Sequence, residues 1–319
     1  MHQKGVTALV IPVIILLVIA GLVFVFRQKG FNPISTSKEE QAKSSNKKDL
    51  WTEAGVVIPG AFADADIVDL ASGKFRMYYS AEPETPGFQG QVYSAVSSDG
   101  INWSKEDGTR LTSAIFPSVI KLVNGGYRMY FQNQQAIKSA LSSDGLSWEG
   151  EEGMRVDTTN SAGLTLSGVV APTVIKTKDE YIMVYGGVID QAYSKEKVPN
   201  KDTHLLLWAT SKDGLNFENK GIALDSKNET FKGWQDGPEL VEWDDGTIRL
   251  YFWSYKGIYH ITYKDGNFSK EAVFDYSTSK DPLIQFPENP PGDPTLAKIN
   301  GKWFMYYGQH GKGIYYATQ

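Results

Sequence analysis

One strand-turn-strand phrase recurs five times along the chain, and it constrains the fold more than any other feature. The copies are "DADIVDLASGKFRMYYS" from Asp64, "FPSVIKLVNGGYRMYFQ" from Phe116, "APTVIKTKDEYIMVYGG" from Ala171, "GPELVEWDDGTIRLYFW" from Gly237 and "DPTLAKINGKWFMYYG" from Asp293. A third strand follows each: "QVYSAVSSDG", "AIKSALSSDG", "HLLLWATSKDG", "GIYHITYKDG" and "GIYYATQ". The first four of these end in Asp-Gly and are closely followed by an aromatic, Trp103, Trp148, Phe217 or Phe268, that opens a short fourth strand such as "WSKEDGTRL". Four antiparallel strands repeated at roughly fifty residues are the mark of a β-propeller. The expected fold is therefore all-β and five-bladed.

The fifth unit stops at Gln319 after three strands, which would leave an open edge. "LWTEAGVVI", Leu50 to Ile58, precedes the first unit and matches the fourth-strand pattern, with Trp51 aligned to Trp103 and Trp148. This N-terminal strand is expected to complete the last blade and close the ring. The second strands ("KFRMYYS", "YRMYF", "YIMVY", "TIRLYFW", "KWFMYYG") are apolar or aromatic at nearly every position. Strands buried on both faces read this way, so these residues are expected to pack between blades. Arg76, Arg128 and Arg249 recur at one equivalent position, which points to a shared structural bond more than to a carboxylate-binding trio.

Ahead of the repeats, "VTALVIPVIILLVIAGLVFVF" from Val6 to Phe26 is uncharged and long enough to span a bilayer as a helix. It ends in Phe-Val-Phe and Arg27, with no small-residue cleavage site, and so reads as an uncleaved anchor. The expected organisation is an N-terminal transmembrane anchor over residues 1–29, a flexible polar linker over 30–49 and the propeller over 50–319. Lys4 on one flank and Arg27 with Lys29 on the other leave the orientation open. The chain is then expected to be a single-pass membrane protein, with the propeller on the extracytoplasmic side.

With 32 basic and 37 acidic side chains the formal net charge is −5, which gives no basic footprint for nucleic acid. The chain has no cysteine, so disulfides, thiolate metal sites and a cysteine nucleophile are excluded.

In a propeller the innermost strands line a central channel, and the residues opening them ring its mouth. Those openers are Asp64, Phe116, Ala171, Gly237 and Asp293. Asp66 and Glu239 lie two residues further along and share the openers' side by strand periodicity, while Asp236 lies just before Gly237. Carboxylates converging on one mouth can cleave a glycosidic bond, one protonating the leaving oxygen and another activating water or attacking the sugar. Asp64, Asp236 and Glu239 are the catalytic candidates. Asp66, Asp293, Phe116, Gln132, Trp234, Trp253 and His310 are candidates for gripping the sugar, aromatic faces and amides being suited to its apolar and hydroxyl sides. Phe88, Asn133, Tyr193 and Tyr255 fall on the same face.

The openings "DADIV", "APTVI", "GPELV" and "DPTLA", with the turns "SSDGINW" and "SKDGLNF", resemble the five-bladed glycoside hydrolases: arabinanases and β-xylosidases of the family-43 type, invertases and levansucrases of the family-32 type. The resemblance covers about Leu50 to Gln319. It implies a blade-one Asp as base or nucleophile, a blade-three Asp that tunes the site and a blade-four Glu as acid. Asp64 matches the first role. Ala171 stands at the second, so that carboxylate is absent unless Asp157 or Asp190 replaces it. Asp236 takes the acid's place, with Glu239 as a nearby residue of the usual type. The same turns are similar to the sialidase Asp-box, although the glycine follows the aspartate one residue too early.

Two classes of function lead, ahead of a sialidase-like protein and of a protein-interaction scaffold using the outer surface. One is a membrane-anchored hydrolase acting on a furanoside or small glycan; the other is a carbohydrate-binding propeller that has lost catalysis with its third-blade carboxylate. No cofactor is expected. Oxygen ligands at a channel centre suit Ca²⁺, but the histidine that the resembling arabinanases place at the start of blade five is missing from "ENPPGDP", and no metal is expected.

Overall fold

The computed structural model describes residues 51–189, 203–225, 231, 234–279 and 289–319. The expected anchor Val6–Phe26 and the linker 30–49 lie outside the described residues, as do Asp190 and Tyr193. Among the described residues no helix is long and apolar enough to cross a membrane.

The strand β1 (Thr52–Pro59) precedes the first repeat. Blade one comprises β2 (Phe62–Asp69), β3 (Phe75–Ala81), β4 (Gln91–Ser97), β5 (Ser104–Lys105) and β6 (Leu111–Thr112). Blade two runs through β7 (Ile115–Lys121), β8 (Tyr127–Asn133), β9 (Ala136–Ser142) and β10 (Glu149–Gly150). Blade three contains β11 (Gly168–Lys176), β12 (Tyr181–Val188), β13 (His204–Ser211) and β14 (Glu218–Leu224). Blade four has β15 (Asp236–Glu242), β16 (Ile248–Ser254), β17 (Gly257–Lys264), β18 (Asn267–Phe268) and β19 (Val273–Tyr276). Blade five holds β20 (Gly292–Ile299), β21 (Lys302–Gln309) and β22 (Gly313–Thr318).

The sheet order β1-β22-β21-β20 shows the N-terminal strand pairing antiparallel with the C-terminal one, from Thr52 opposite Thr318 to Pro59 opposite Gly313. The ring is closed in this way, with five sheets rather than the six usual in sialidases. Fourth strands are less regular than the repeat suggests. In blade one β5 and β6 are separate short pieces that both pair with β4, because Asp107-Gly108, with Gly108 at φ +81°, turns the chain out of the ladder between them.

Each seam between neighbouring blades holds one apolar cluster. Tyr78, Val92, Met129 and Ala140 fill the first, and Trp51, Tyr251, Trp303 and Tyr307 the seam between blades four and five. β3 is buried at every position, as expected for a strand covered on both faces. The aromatic that opens each fourth strand reaches back to the preceding blade: Trp103 to Tyr306, Trp148 to Tyr78, Phe217 to Tyr130, Phe268 to Trp208 and Trp51 to Trp243, at centroid separations of 5.5–6.5 Å.

The arginines are structural. Arg76 makes a two-pronged pair with Glu106 (2.8 and 2.9 Å) and donates across the seam to the Asp144 carbonyl, and Arg128 does the same with Glu151 and Asp213. Among the described residues Arg249 pairs with Asp245 (3.6 Å) instead of a glutamate, and its guanidinium lies 4.2 Å from the centre of the Trp243 ring.

Every first strand carries the same defect. The register slips between Ala63 and Asp66, Ile115 and Ser118, Val170 and Thr173, Asp236 and Glu239, and Gly292 and Thr295. At each slip the opener is left-handed: Asp64 at φ +55°, Phe116 +51°, Ala171 +45°, Gly237 +55° and Asp293 +46°. A bulge leaves its extra residue unpaired and re-aims its side chain. Here it turns five openers towards one point.

Candidate active site

The five openers, the residues after them and Glu239 line a cavity of about 30 Å³ at the channel mouth. That volume suits water, not a sugar ring. Its wall is stiff, because four of the five residues after the openers are proline: Pro117, Pro172, Pro238 and Pro294. Left-handed non-glycine residues are costly and gather where the backbone must present something.

Asp64 of blade one and Asp293 of blade five line this cavity, and Asp236 of blade four precedes the lining residue Gly237. Burial pushes the half-buried Asp64 carboxyl up to about 7; the Glu82 and Asp236 charges add to this, while hydrogen bonds from the Ser80 side chain and the Phe116 backbone oppose it. Asp293 is raised well above the usual carboxylate range, first by burial and then by the charges of Asp64 and Asp236. Trp253 Nε1 donates to Asp293 Oδ1 at 3.1 Å and moderates the rise. Burial also raises Asp236, partly offset by His204, whose Nε2 is 3.9 Å from Asp236 Oδ2, and by the Gly237 N–H, which donates to Oδ1 at 2.8 Å.

Asp66 and Glu239 belong to a second ring, one level deeper. The intervening bulge breaks the two-residue period, so sharing a strand face with the openers does not put them in the same layer. The ring members are Asp66, Ser118, Thr173, Glu239 and Thr295, and the side chains of the first four accept from the backbone of the next blade. Val119 N–H donates to Asp66, Val174 N–H to Ser118 Oγ (3.0 Å), Leu240 N–H to Thr173 Oγ1 (2.9 Å) and Leu296 N–H to Glu239. Thr173 and Thr295 hydroxyls also donate to the two oxygens of Glu239 at 3.1 and 2.9 Å. Burial and then the Asp66 charge raise Glu239 well above its ordinary value, and burial raises Asp66 to about 7.

The other candidates spread from floor to rim. Phe116 lines the cavity. Gln132 Oε1 accepts from the Ala171 N–H at 3.4 Å, fixing the third blade's opener. Trp234 is 3 % exposed and stacks on His204 at 5.3 Å, so it backs the wall instead of offering a face; the half-buried Trp253 stands in front of it at 5.0 Å. His310 is on the rim, its side chain 69 % exposed, with Nδ1 3.2 Å from Glu82 and Nε2 3.2 Å from Glu84. Asp157 accepts from the backbone and hydroxyl of Thr159 and is spent in a local turn.

Three contributors were not singled out from the sequence: Ser80, Glu82 and His204. Glu82 is buried and accepts from Gly311 N–H at 2.8 Å. Its signal was a carboxylate placed directly after the fully buried strand β3, where solvation is poor. Among the described residues, Glu82, Glu84 and His310 are the group whose ligand atoms lie close enough to hold a metal ion. Both imidazole nitrogens face carboxylates, however, which is also how an imidazolium bridges two acids.

No family model and no curated protein sequence matches the chain. Solved structures do. A thermostable family-43 glycoside hydrolase superposes with a TM-score of 0.59 at 16 % identity, over 83 % of this chain and 90 % of that one. A GH43 β-xylosidase/α-arabinofuranosidase from a compost microbial metagenome, in complex with xylotriose and calcium-free, gives 0.57 at 16 % over 84 % and 95 %. A structure from the GH130 family of mannoside phosphorylases, described as containing glycoside hydrolases that target β-1,2 mannosidic linkages in Candida mannan, gives 0.58 at 14 % over 81 % and 84 %. At these identities the likeness establishes the fold: a five-bladed propeller of the kind that glycoside hydrolases use.

Proposed function

We propose that the chain is a glycoside hydrolase that removes a furanoside or small pyranoside unit from a glycan, held at a membrane by Val6–Phe26 with the propeller on the extracytoplasmic side. The observation carrying this reading is the electrostatic interaction of Asp64, at the channel mouth, with Asp236, which precedes the lining residue Gly237: each is raised by burial, and Asp64 is raised further by the Asp236 charge. Like carboxylates in a poorly solvated site do not all ionise together, so near neutral pH one keeps a proton while another is charged. That is the acid and base pair glycoside cleavage requires. Asp64 is assigned the nucleophile or base and Asp236 the acid. Glu239 is the weaker choice for acid because both its oxygens accept threonine hydroxyls within the deeper ring. The sugar sits above the small cavity, with Trp253 beside it.

The test is hydrolysis of a panel of aryl furanosides and pyranosides by the full chain, with Asp64→Asn as control. Release of the aryl group that Asp64→Asn abolishes supports the reading. A panel left intact by folded protein overturns it.

Ala171 and the small cavity favour a second reading, a propeller that binds a glycan without cleaving it. Glycan-array binding that persists in Asp64→Asn and weakens in Trp253→Ala distinguishes it from the first.

A further inference from the structure

The cavity at the channel mouth is lined by three carboxylic side chains, Asp64, Glu239 and Asp293, brought together from β2, β15 and β20. Among the described residues no lysine, arginine or histidine lines it. Pro117, Pro172, Pro238 and Pro294, which share the wall, have no N–H to offer. The donors that do reach the three acids are neutral. Ser80 and the Phe116 N–H serve Asp64, the Trp253 indole serves Asp293 at 3.1 Å, and the Thr173 and Thr295 hydroxyls serve Glu239. Neutral donors do not cancel buried negative charge, and burial holds all three carboxyls above their ordinary range. The nearby histidines face other acids: His204 lies 3.9 Å from Asp236 and His310 lies 3.2 Å from Glu82.

Size and spacing narrow what can balance these acids. A volume of about 30 Å³ takes one water-sized group. A metal ion bound directly by carboxylates at about 2.3–2.6 Å needs its oxygens within about 5 Å of one another. Among the described residues it is Glu82, Glu84 and His310 that come within 4.8 Å as a trio, not the three acids of the cavity. An ammonium group is also about as large as a water molecule, but it bonds at about 2.8 Å and carries three N–H donors, so it serves three acceptors set wider apart.

We propose that the ligand of this mouth carries a primary ammonium group, as an amino sugar with a free amine does, and that this group enters the cavity and is held among Asp64, Glu239 and Asp293. The sugar ring, too large for the cavity, stays above it. The inference names the ligand class of the site assigned above and rests on that reading for the sugar, while the preference for a cation stands on the cavity itself. Binding exchanges protons for the ammonium charge, because a cation favours ionised carboxylates. The titratable groups around this point are Asp64 and Asp66 from β2, Glu82 after β3, Asp236 and Glu239 from β15 and Asp293 from β20, with His204 from β13 and His310 from the β21–β22 turn. Raising the pH towards neutrality ionises the acids and discharges the histidines, and both changes favour the cation.

The test needs no turnover. Carboxyl carbon resonances of the full chain are followed by NMR at about pH 7 while methylammonium chloride is added. Saturable shifts at Asp64, Glu239 and Asp293 are expected, with protons released into solution. Tetramethylammonium, which has the same charge but no N–H and a larger body, is expected to leave them in place. Of D-glucosamine, D-galactosamine and D-mannosamine, at least one is expected to bind about tenfold or more tightly than its neutral parent sugar and its N-acetyl form, and to lose affinity at about pH 5. A response to methylammonium no larger than to tetramethylammonium overturns the proposal and leaves a cavity for water. Sodium, potassium or calcium acting as well as methylammonium overturns it in favour of a metal ion. Methylammonium binding with no preference for any of the three amino sugars overturns it as well. Amino-sugar binding by a chain that leaves every aryl glycoside intact keeps this inference and removes the hydrolase reading. Hydrolysis of neutral glycosides without methylammonium binding does the reverse.

Discussion

The Tyr78 hydroxyl donates to the Gly145 carbonyl at 2.8 Å, from the second strand of blade one to the Asp-Gly turn of blade two. Tyr130 repeats the bond to Gly214 at 2.9 Å, and Tyr306 makes it to Gly100 at 2.7 Å. Each turn is thereby latched to the blade before it. The Asp-Gly pairs thus do more than reverse the chain: they hold neighbouring blades together.

Tyr78→Phe keeps the packing against Trp148 and removes the nearer of two donors to the Gly145 carbonyl, leaving the Trp148 indole N–H at 3.2 Å. The expected cost is about 1–2 kcal/mol, read as a lower urea midpoint. Glu106→Gln is expected to cost more, because it removes the charge that Arg76 grips while the guanidinium stays buried.

Gly237→Ala forces a methyl into the space of the Asp293 carboxylate at a φ of +55°. A loss of about 2 kcal/mol or more is expected from the clash together with the left-handed backbone. Asp293→Gly in the same molecule is expected to restore part of it, and a double-mutant cycle checks the coupling.

Stability is expected to fall as pH rises from about 4 to about 7. Folded Asp64 and Asp66 keep their protons to about 7, against 3.8 for the free side chain. Between those values the folded state binds more protons than the unfolded one, so their contribution is complete below about 4 and gone above about 7. Asp144 works in the opposite direction and at lower pH. Backbone N–H groups of Ser147 and Leu146 hold it near 2, and its contribution is lost as pH falls from about 4 towards 2. Urea midpoints at pH 5 and pH 8 check the sign, and Asp66→Asn is expected to flatten the difference by raising the pH 8 value.

Asp236→Asn and Glu239→Gln are expected to separate the two acid candidates. The first lowers kcat about 100-fold or more with little change in the melting curve. The second loosens the ring of Thr173, Thr295 and Leu296, so it lowers the melting temperature by several degrees and affects turnover less. Parallel thermal melts and initial rates decide between them.

The sequence carried the ring. Four-strand repeats, Asp-Gly turns and doubly buried second strands such as β3 are local patterns, and the strand left over before Asp64 could pair only with the strand left over at Gln319. It also carried which residues open each blade, because the opener holds a fixed place in each repeat. It did not carry the layering. Asp66 and Asp64 read as neighbours on one face, and only the bulge between them, shared by all five first strands, separates mouth from girdle. Trp234 read as a sugar platform, whereas its surroundings of His204, Trp253 and Tyr255 come from other strands.

What the amino-acid order determined by itself was the number of blades and the way the ring closes, since periodicity and turn chemistry act over a few residues. Which carboxylates act on one another was decided by tertiary structure. Asp64, Asp236 and Asp293 lie far apart in the chain, and their shared electrostatics exists only once closure brings blades one, four and five around a single poorly hydrated point.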